Sequence, residues 1–250
     1  MKKNKLVLIS ALTLITLAGC GGGGGGSTPT PATNAVAAGV WQGTSSSGYT
    51  VDLVVLPNNS FATIFGTSTG NGGLNVVGFD IGSGTISGST LTATGMSEFT
   101  SAGYVASGNV TATIVNNTSL IGSASYSTGT NSTFNLTPLT GFNYSTPASL
   151  ATIAGSWTGT SLGGATTVTI NSTTGAVAGT VAGGCSFTGT ITPSTVNAYT
   201  TSITIGASPC TNPNTTINGI GVAYPTTSGT TQLIVEAGSG TVGSIFLAQR

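Results

Sequence analysis

Tyr104-Val105-Ala106-Ser107-Gly108-Asn109-Val110-Thr111-Ala112-Thr113-Ile114-Val115 decides the fold. Its even positions carry Tyr104, Ala106, Gly108, Val110, Ala112 and Ile114, while the odd ones are mostly Ser107, Asn109, Thr111 and Thr113. A period of two places one set of side chains on each face of a strand, so the stretch predicts a half-buried antiparallel strand with hydroxyls outward. The next run repeats the pattern, with Leu120, Gly122, Ala124 and Tyr126 against Ser123, Ser125 and Ser127. Turns are expected between runs at Pro57-Asn58-Asn59, Asn71-Gly72-Gly73, Asn116-Asn117 and Thr128-Gly129, where Gly and Asn tolerate positive φ.

Residues 167–170, 185–191, 199–205, 217–224, 232–236 and 242–248 alternate in the same way or run apolar between Gly, Pro or Asn breaks. Helical spacing is nearly absent. Two stretches match at Ala-Gly-x-Trp-x-Gly-Thr: Ala38-Gly39-Val40-Trp41-Gln42-Gly43-Thr44 and Ala154-Gly155-Ser156-Trp157-Thr158-Gly159-Thr160. A repeat spaced by about a hundred residues points to a duplicated domain rather than a short solenoid unit. The chain therefore divides into a first domain at 39–140, a linker at 141–152 and a second domain at 153–250.

About eight short strands per half is the number at which an antiparallel sheet closes on itself, so two tandem small β-barrels are expected; β-sandwiches are the alternative that periodicity leaves open. Closure hides the edges that Thr- and Val-rich strands would otherwise offer to other chains. Gly108, Gly122 and Gly189 fall on the inward side, where a small barrel is crowded. A barrel that spans a membrane alternates too, but most runs are shorter than its strands need and paired aromatic girdles are missing, so the domains read as soluble.

The first residues read as an export signal. Met1-Lys2-Lys3-Asn4-Lys5 is a basic start, an apolar run follows to Ala18, and small residues precede Cys20. Leu17-Ala18-Gly19-Cys20 resembles the lipobox of bacterial lipoproteins. That resemblance implies diacylglyceryl transfer to the Cys20 thiol, cleavage before it, acylation of the new N-terminus and a signal peptide at 1–19. In Gram-negative members an Asp after the lipidated Cys tends to retain the protein at the inner membrane. Gly21 stands there instead, which implies the outer membrane. Residues 20–38, with six consecutive glycines and then Pro29 and Pro31, serve as a tether of roughly 20 to 30 Å.

Charge excludes several functions. The three lysines all lie in the first five residues, so beyond the signal Arg250 is the sole basic side chain against Asp52, Asp80, Glu98 and Glu236. A surface that neutralises phosphates cannot be built from one arginine, which excludes nucleic acid and a polybasic membrane patch. The expected membrane contact is the lipid on Cys20, and an envelope protein or a glycan remains as a partner. With no histidine there is no Ser-His or Cys-His system, and no metal or other cofactor is indicated. Gly82-Ser83-Gly84 lacks the Lys and helix of a phosphate loop and reads as a turn. Cys185 and Cys210 form an even pair in an oxidising compartment, so a structural disulfide is expected, contributing about 3 kcal/mol.

Gly-x-Trp on the first strand of a small up-and-down barrel resembles the lipocalin and wider calycin signature. The resemblance implies a Trp that plugs one end and an Arg near the last strand packed across it. Gly155, Trp157 and Arg250 match in the second half, whereas Gly39 and Trp41 in the first half have no arginine. A core tryptophan without ligand connotation fits the same residues.

The resulting expectation is a non-enzymatic, lipid-anchored envelope protein displaying two barrels for binding or a structural, adhesive role. Two alternatives accompany it: a carrier of a small apolar ligand, which requires an open cavity beside a Trp, and a glycan hydrolase using two of Asp52, Asp80 and Glu98. The hydrolase requires two of these acids to face one cleft. Otherwise the acids serve to keep a neutral surface soluble.

Overall fold

A computed structural model describes residues 34–68, 74–115, 118–226 and 228–250. The signal peptide, Cys20, most of the tether, and the turns at Asn71-Gly72-Gly73 and Asn116-Asn117 lie outside the described residues. The protein is all-β, built as two closed eight-stranded antiparallel barrels in tandem. The sheets close on themselves, so the sandwich alternative is excluded.

The first barrel is a simple meander: β1 (Gly39–Ser45), β2 (Thr50–Val55), β3 (Ser60–Ser68), β4 (Leu74–Ser87), β5 (Thr90–Thr100), β6 (Gly103–Val115), β7 (Ser119–Tyr126) and β8 (Asn131–Pro138). Pairing of β1 with β8, from Trp41 opposite Pro138 to Ser45 opposite Phe134, closes it. A connection containing one helical turn, α1 (Leu150–Ile153), leads to the second meander. Its strands are β9 (Gly155–Ser161), β10 (Gly164–Ile170), β11 (Ala176–Val181), β12 (Cys185–Pro193), β13 (Tyr199–Ile205), β14 (Thr216–Pro225), β15 (Thr231–Ser239) and β16 (Val242–Gln249). The β16–β9 pairing closes this sheet.

The alternation behaves as a strand face should. Along β6, Ala106, Gly108, Ala112 and Ile114 are buried, while Asn109, Thr111 and Thr113 are exposed. Tyr104 breaks the phase and is exposed, because the β5–β6 register shifts between Glu98 and Phe99 and the extra residue turns the strand end over. Gly82-Ser83-Gly84, expected to be a turn, lies inside β4. There the ladder to β5 is interrupted between Ile81 and Gly84, and the glycines serve packing: a Cβ on Gly82 would meet the Phe61 ring at 2.8 Å, and one on Gly84 would meet Leu91 at 2.9 Å.

Each barrel has its own interior core, one around Trp41, Leu53, Phe61 and Leu120 and the other around Trp157, Ile170, Tyr199 and Leu233. A third core lies between the barrels. Val54, Ile64, Phe79 and Phe99 on the outer face of the first pack with Ile220, Val222, Ile234 and Ile245 on the outer face of the second. Strands serving this contact are buried on both faces, which is why β2 and β15 lose strict alternation and run apolar, as in Leu53-Val54-Val55 and Leu233-Ile234-Val235. Gly238 and Gly243 are register partners on β15 and β16, and together they leave a bare patch of sheet on which the Phe99 ring rests. A Cβ on Gly243 would come within 2.7 Å of that ring.

Candidate functional site

The repeated Ala-Gly-x-Trp-x-Gly-Thr stretch builds the same device twice. Trp41 donates its indole N–H to the Ala37 carbonyl at 2.8 Å, and Trp157 donates to the Ile153 carbonyl at 2.7 Å, each reaching back four residues. Both rings are buried. The glycine two places on stands where the closing strand crosses. A Cβ on Gly43 would fall 2.0 Å from the Asn135 carbonyl oxygen, and one on Gly159 would fall 2.0 Å from that of Leu247. Trp stops one end, and Gly lets β8 or β16 approach close enough to complete the ladder.

The barrels differ in what covers the stopper. Over Trp157 lies the Arg250 guanidinium, its central carbon 4.0 Å from the ring centroid. The same guanidinium donates to the carbonyls of Ala154 at 2.7 Å and Thr152 at 3.1 Å. Gly155, at φ 99°, leaves the space this needs, since a Cβ there would meet Arg250 Nη1 at 3.2 Å. In the first barrel the segment before β1 does the covering: Ala37 and Ala35 pack against the Trp41 cluster, and the Asn34 carboxamide accepts from the Gly88 amide at 2.8 Å.

Opposite the stoppers both interiors open. The second barrel holds a cavity of about 580 Å³ walled by Val168, Ile170, Val177, Phe187, Ile203 and Val235. Among its few inner polar groups, Thr166 donates to the Ser161 hydroxyl at 2.8 Å, and the Thr201 hydroxyl is buried without a partner. The rim is formed by Leu162, Gly163, Ala182 and Gly183, by Ser101, Ala102 and Gly103 from the first barrel, and by Pro209, Thr211 and Asn212. The last three belong to the loop between β13 and β14, which the Cys185–Cys210 disulfide fastens to the start of β12.

The first barrel holds a smaller cavity of about 160 Å³ with a different lining. Phe61, Phe65, Phe134, Met96 and Leu120 form its apolar wall, Ser45, Ser47, Thr130 and Ser132 its hydroxyl-rich mouth, and Asp80, Glu98 and Tyr126 its polar wall. Asp80 on β4 stands directly opposite Glu98 on β5. Its inward neighbours along β4 are Gly78 and Gly82, whose missing side chains are replaced by the Phe65 and Phe61 rings. The Tyr126 hydroxyl donates to Asp80 Oδ2 at 3.0 Å, while Oδ1 is buried with no partner.

The expectation that the acids merely keep the surface soluble is therefore corrected. Asp80 is only 6% exposed and Glu236 only 2%. Burial, and secondarily the nearby Glu98 charge, pushes the Asp80 carboxyl up to about 8 against the Tyr126 hydrogen bond that lowers it. Burial also raises Glu98. Glu236 points from β15 toward the first barrel; desolvation, then the charges of Asp80 and Asp52, holds it well above the usual carboxylate range, opposed by a backbone hydrogen bond of Thr63. Asp52 is half-buried on the outer face, accepts from the Gln42 carboxamide at 2.8 Å and is raised by burial. Only the phase of β4 could have signalled Asp80: counting by twos, it shares a face with Gly78, Gly82 and Gly84.

No protein-family model matches the chain, and a search of curated proteins gave no match. Among solved structures, the Aeromonas veronii immune modulator A matches at 11% identity over 85% of this chain and 94% of its own, with a TM-score of 0.39. Intact Ap-TbpB, with N and C lobes, matches at 10% identity over 81% of this chain and 67% of its own, with a TM-score of 0.28. A mutant of the vaccine antigen transferrin binding protein B from Haemophilus parasuis Hp5 matches at 10% identity over 84% of this chain and 66% of its own, with a TM-score of 0.29. Likenesses this distant carry nothing about what this chain binds.

Proposed function

We propose that this chain is a non-enzymatic lipoprotein of the cell envelope, held to the outer membrane by acyl chains on Cys20, whose second barrel takes up a small apolar ligand. The anchor rests on Leu17-Ala18-Gly19-Cys20 and the glycine-rich tether after it. Ala35 and Ala37, ahead of β1, pack against the Trp41 end of the first barrel. The second barrel's cavity opens opposite Trp157 and is not lined by it, so the expectation of a cavity beside a Trp is corrected, and uptake rests on one observation, the cavity's volume of about 580 Å³. Its size falls in the roughly 300 to 1,000 Å³ range of small-molecule pockets, and its walls are apolar with few polar groups, as such pockets are.

The hydrolase reading has one observation in its favour, since Asp80 and Glu98 do share a cavity. Against it, residues directly opposite on neighbouring strands stand on one wall, whereas glycoside hydrolysis needs carboxyls on two sides of the bond. At about 160 Å³ the space is also smaller than ordinary ligand pockets.

Two experiments test the proposal. Radiolabelled palmitate fed to cells should label the wild type and not Cys20→Ser; equal labelling of both, or of neither, overturns the anchor. N-phenylnaphthylamine should fluoresce on binding the purified full chain, and Val168→Trp, which fills the second interior, should abolish the signal. Undiminished fluorescence from a folded Val168→Trp variant overturns uptake by that barrel.

A further inference from the structure

The first barrel's interior asks for something the protein does not supply. Two carboxyls stand side by side, with the Tyr126 hydroxyl, facing a wall of apolar side chains, and Arg250, the one basic side chain among the described residues, is engaged at the stopper of the other barrel. One carboxylate oxygen, Asp80 Oδ1, is buried and unpartnered where the residue borders the cavity. An orphaned acceptor of this kind costs stability unless a donor meets it. The surrounding rings are of the type that attracts cations: Tyr49 and Phe65 lie 5.8 Å apart near the mouth, with Phe61, Phe134 and Tyr126 further along the lining.

We propose that the cavity of the first barrel is a binding site for a small organic ammonium ion, its charge received by Asp80 and Glu98 and its hydrocarbon part by the aromatic wall. Size sets the ligand class. A cavity of about 150 Å³ accommodates benzene, so about 160 Å³ takes an amine of roughly five to seven non-hydrogen atoms. Hydroxyls at the mouth, from Ser45, Ser47, Thr130 and Ser132, wet the entrance without adding a competing charge. Four titratable groups besides Asp80 border or adjoin the cavity: Glu98 from β5, Tyr126 from β7, Tyr49 at the mouth, and Glu236 from β15 across the sheet. None of them is a cation, so near neutral pH a proton occupies the acid cluster when it is empty, and an arriving ammonium displaces that proton to solvent.

Calorimetry on the full chain at pH 7 tests this with n-butylammonium, tetramethylammonium and, as the uncharged control, 1-butanol. The expected result is ammonium binding at least tenfold tighter than butanol, with proton release seen as a heat that varies with the ionisation enthalpy of the buffer. Asp80→Asn should weaken n-butylammonium at least tenfold. Glu98→Gln, at a less buried position, should weaken it several-fold and provides the test if the Asp80 variant fails to fold. Val168→Trp should leave ammonium binding unchanged, which separates this site from the second interior. Equal affinity for butanol and butylammonium overturns the proposal, as does affinity unaffected in folded Asp80→Asn and Glu98→Gln variants, or displacement of the amine by millimolar calcium.

Discussion

The two barrels close in the same way and enclose different things. Each has a Trp whose indole N–H reaches back four residues, a Gly pressed against the carbonyl of the closing strand, and a mouth at the opposite end. Yet the first encloses about 160 Å³ bordered by an acid pair, and the second about 580 Å³ bordered mainly by apolar side chains. Closure is fixed by backbone geometry, so the residues that perform it are held tightly. The inward positions are constrained mainly by volume and can diverge into distinct sites. A glycine at an inward position makes room for a neighbour's ring, and β4 uses three of them to leave Asp80 as the polar element of its inner face.

The comparison is broken most severely at closure. Gly43→Val and Gly159→Val each drive a side chain into a carbonyl oxygen, and each should cost on the order of 4 kcal/mol or more, the size reserved for a clash the backbone cannot avoid. Chemical denaturation would read this as loss of the affected barrel's cooperative transition. Equal, small losses in both variants would mean the sheets close some other way.

A smaller effect should separate the barrels. Reducing the Cys185–Cys210 bond, which spans 25 residues, should destabilise the second barrel by about 3 kcal/mol and leave the first barrel's ammonium affinity unchanged. Denaturant midpoints with and without reductant check it.

Acidity distinguishes them next. Because Asp80 is raised to about 8 in the fold and titrates near 3.9 when unfolded, the folded chain holds the extra proton between those values. Stability from this group is therefore greatest below pH 4, falls as pH rises through the window, and levels off above pH 8. Glu236, raised for the same reason, steepens the fall. Asp80→Asn should flatten the profile, and denaturation between pH 4 and 9 would show it.

Smallest is the stopper's cover. Arg250→Met should cost about 0.5 to 2 kcal/mol, through the lost guanidinium–indole contact and two carbonyl hydrogen bonds. A thermal melt followed by Trp fluorescence reads it.

Strand periodicity made the barrels legible in the sequence, since residues such as Asn109, Thr111 and Thr113 report their face directly. The even pair of cysteines left a disulfide as the simplest outcome. Three things escaped. Gly82-Ser83-Gly84 reads locally as a turn because nothing within three residues reveals that side chains on the adjoining strands, Phe61 on β3 and Leu91 on β5, fill the missing space. The inter-barrel core was hidden because each apolar run, such as Leu53-Val54-Val55, looks like an imperfect alternating strand until a partner covers its outer face. The acids were assigned to the surface by their residue type. The inward phase of Asp80 in β4 and the apolar company of Glu236 in Leu233-Ile234-Val235-Glu236-Ala237 were the signals that outweighed type.

One measurement addresses the difference between the interiors directly: amide chemical-shift mapping of the full chain titrated separately with n-butylammonium and with N-phenylnaphthylamine. The ammonium should shift resonances around Asp80, Glu98 and Tyr126 and leave Val168, Ile203 and Val235 unmoved, while the uncharged aromatic does the reverse. If both compounds perturb one and the same barrel, the two interiors are not the distinct sites described.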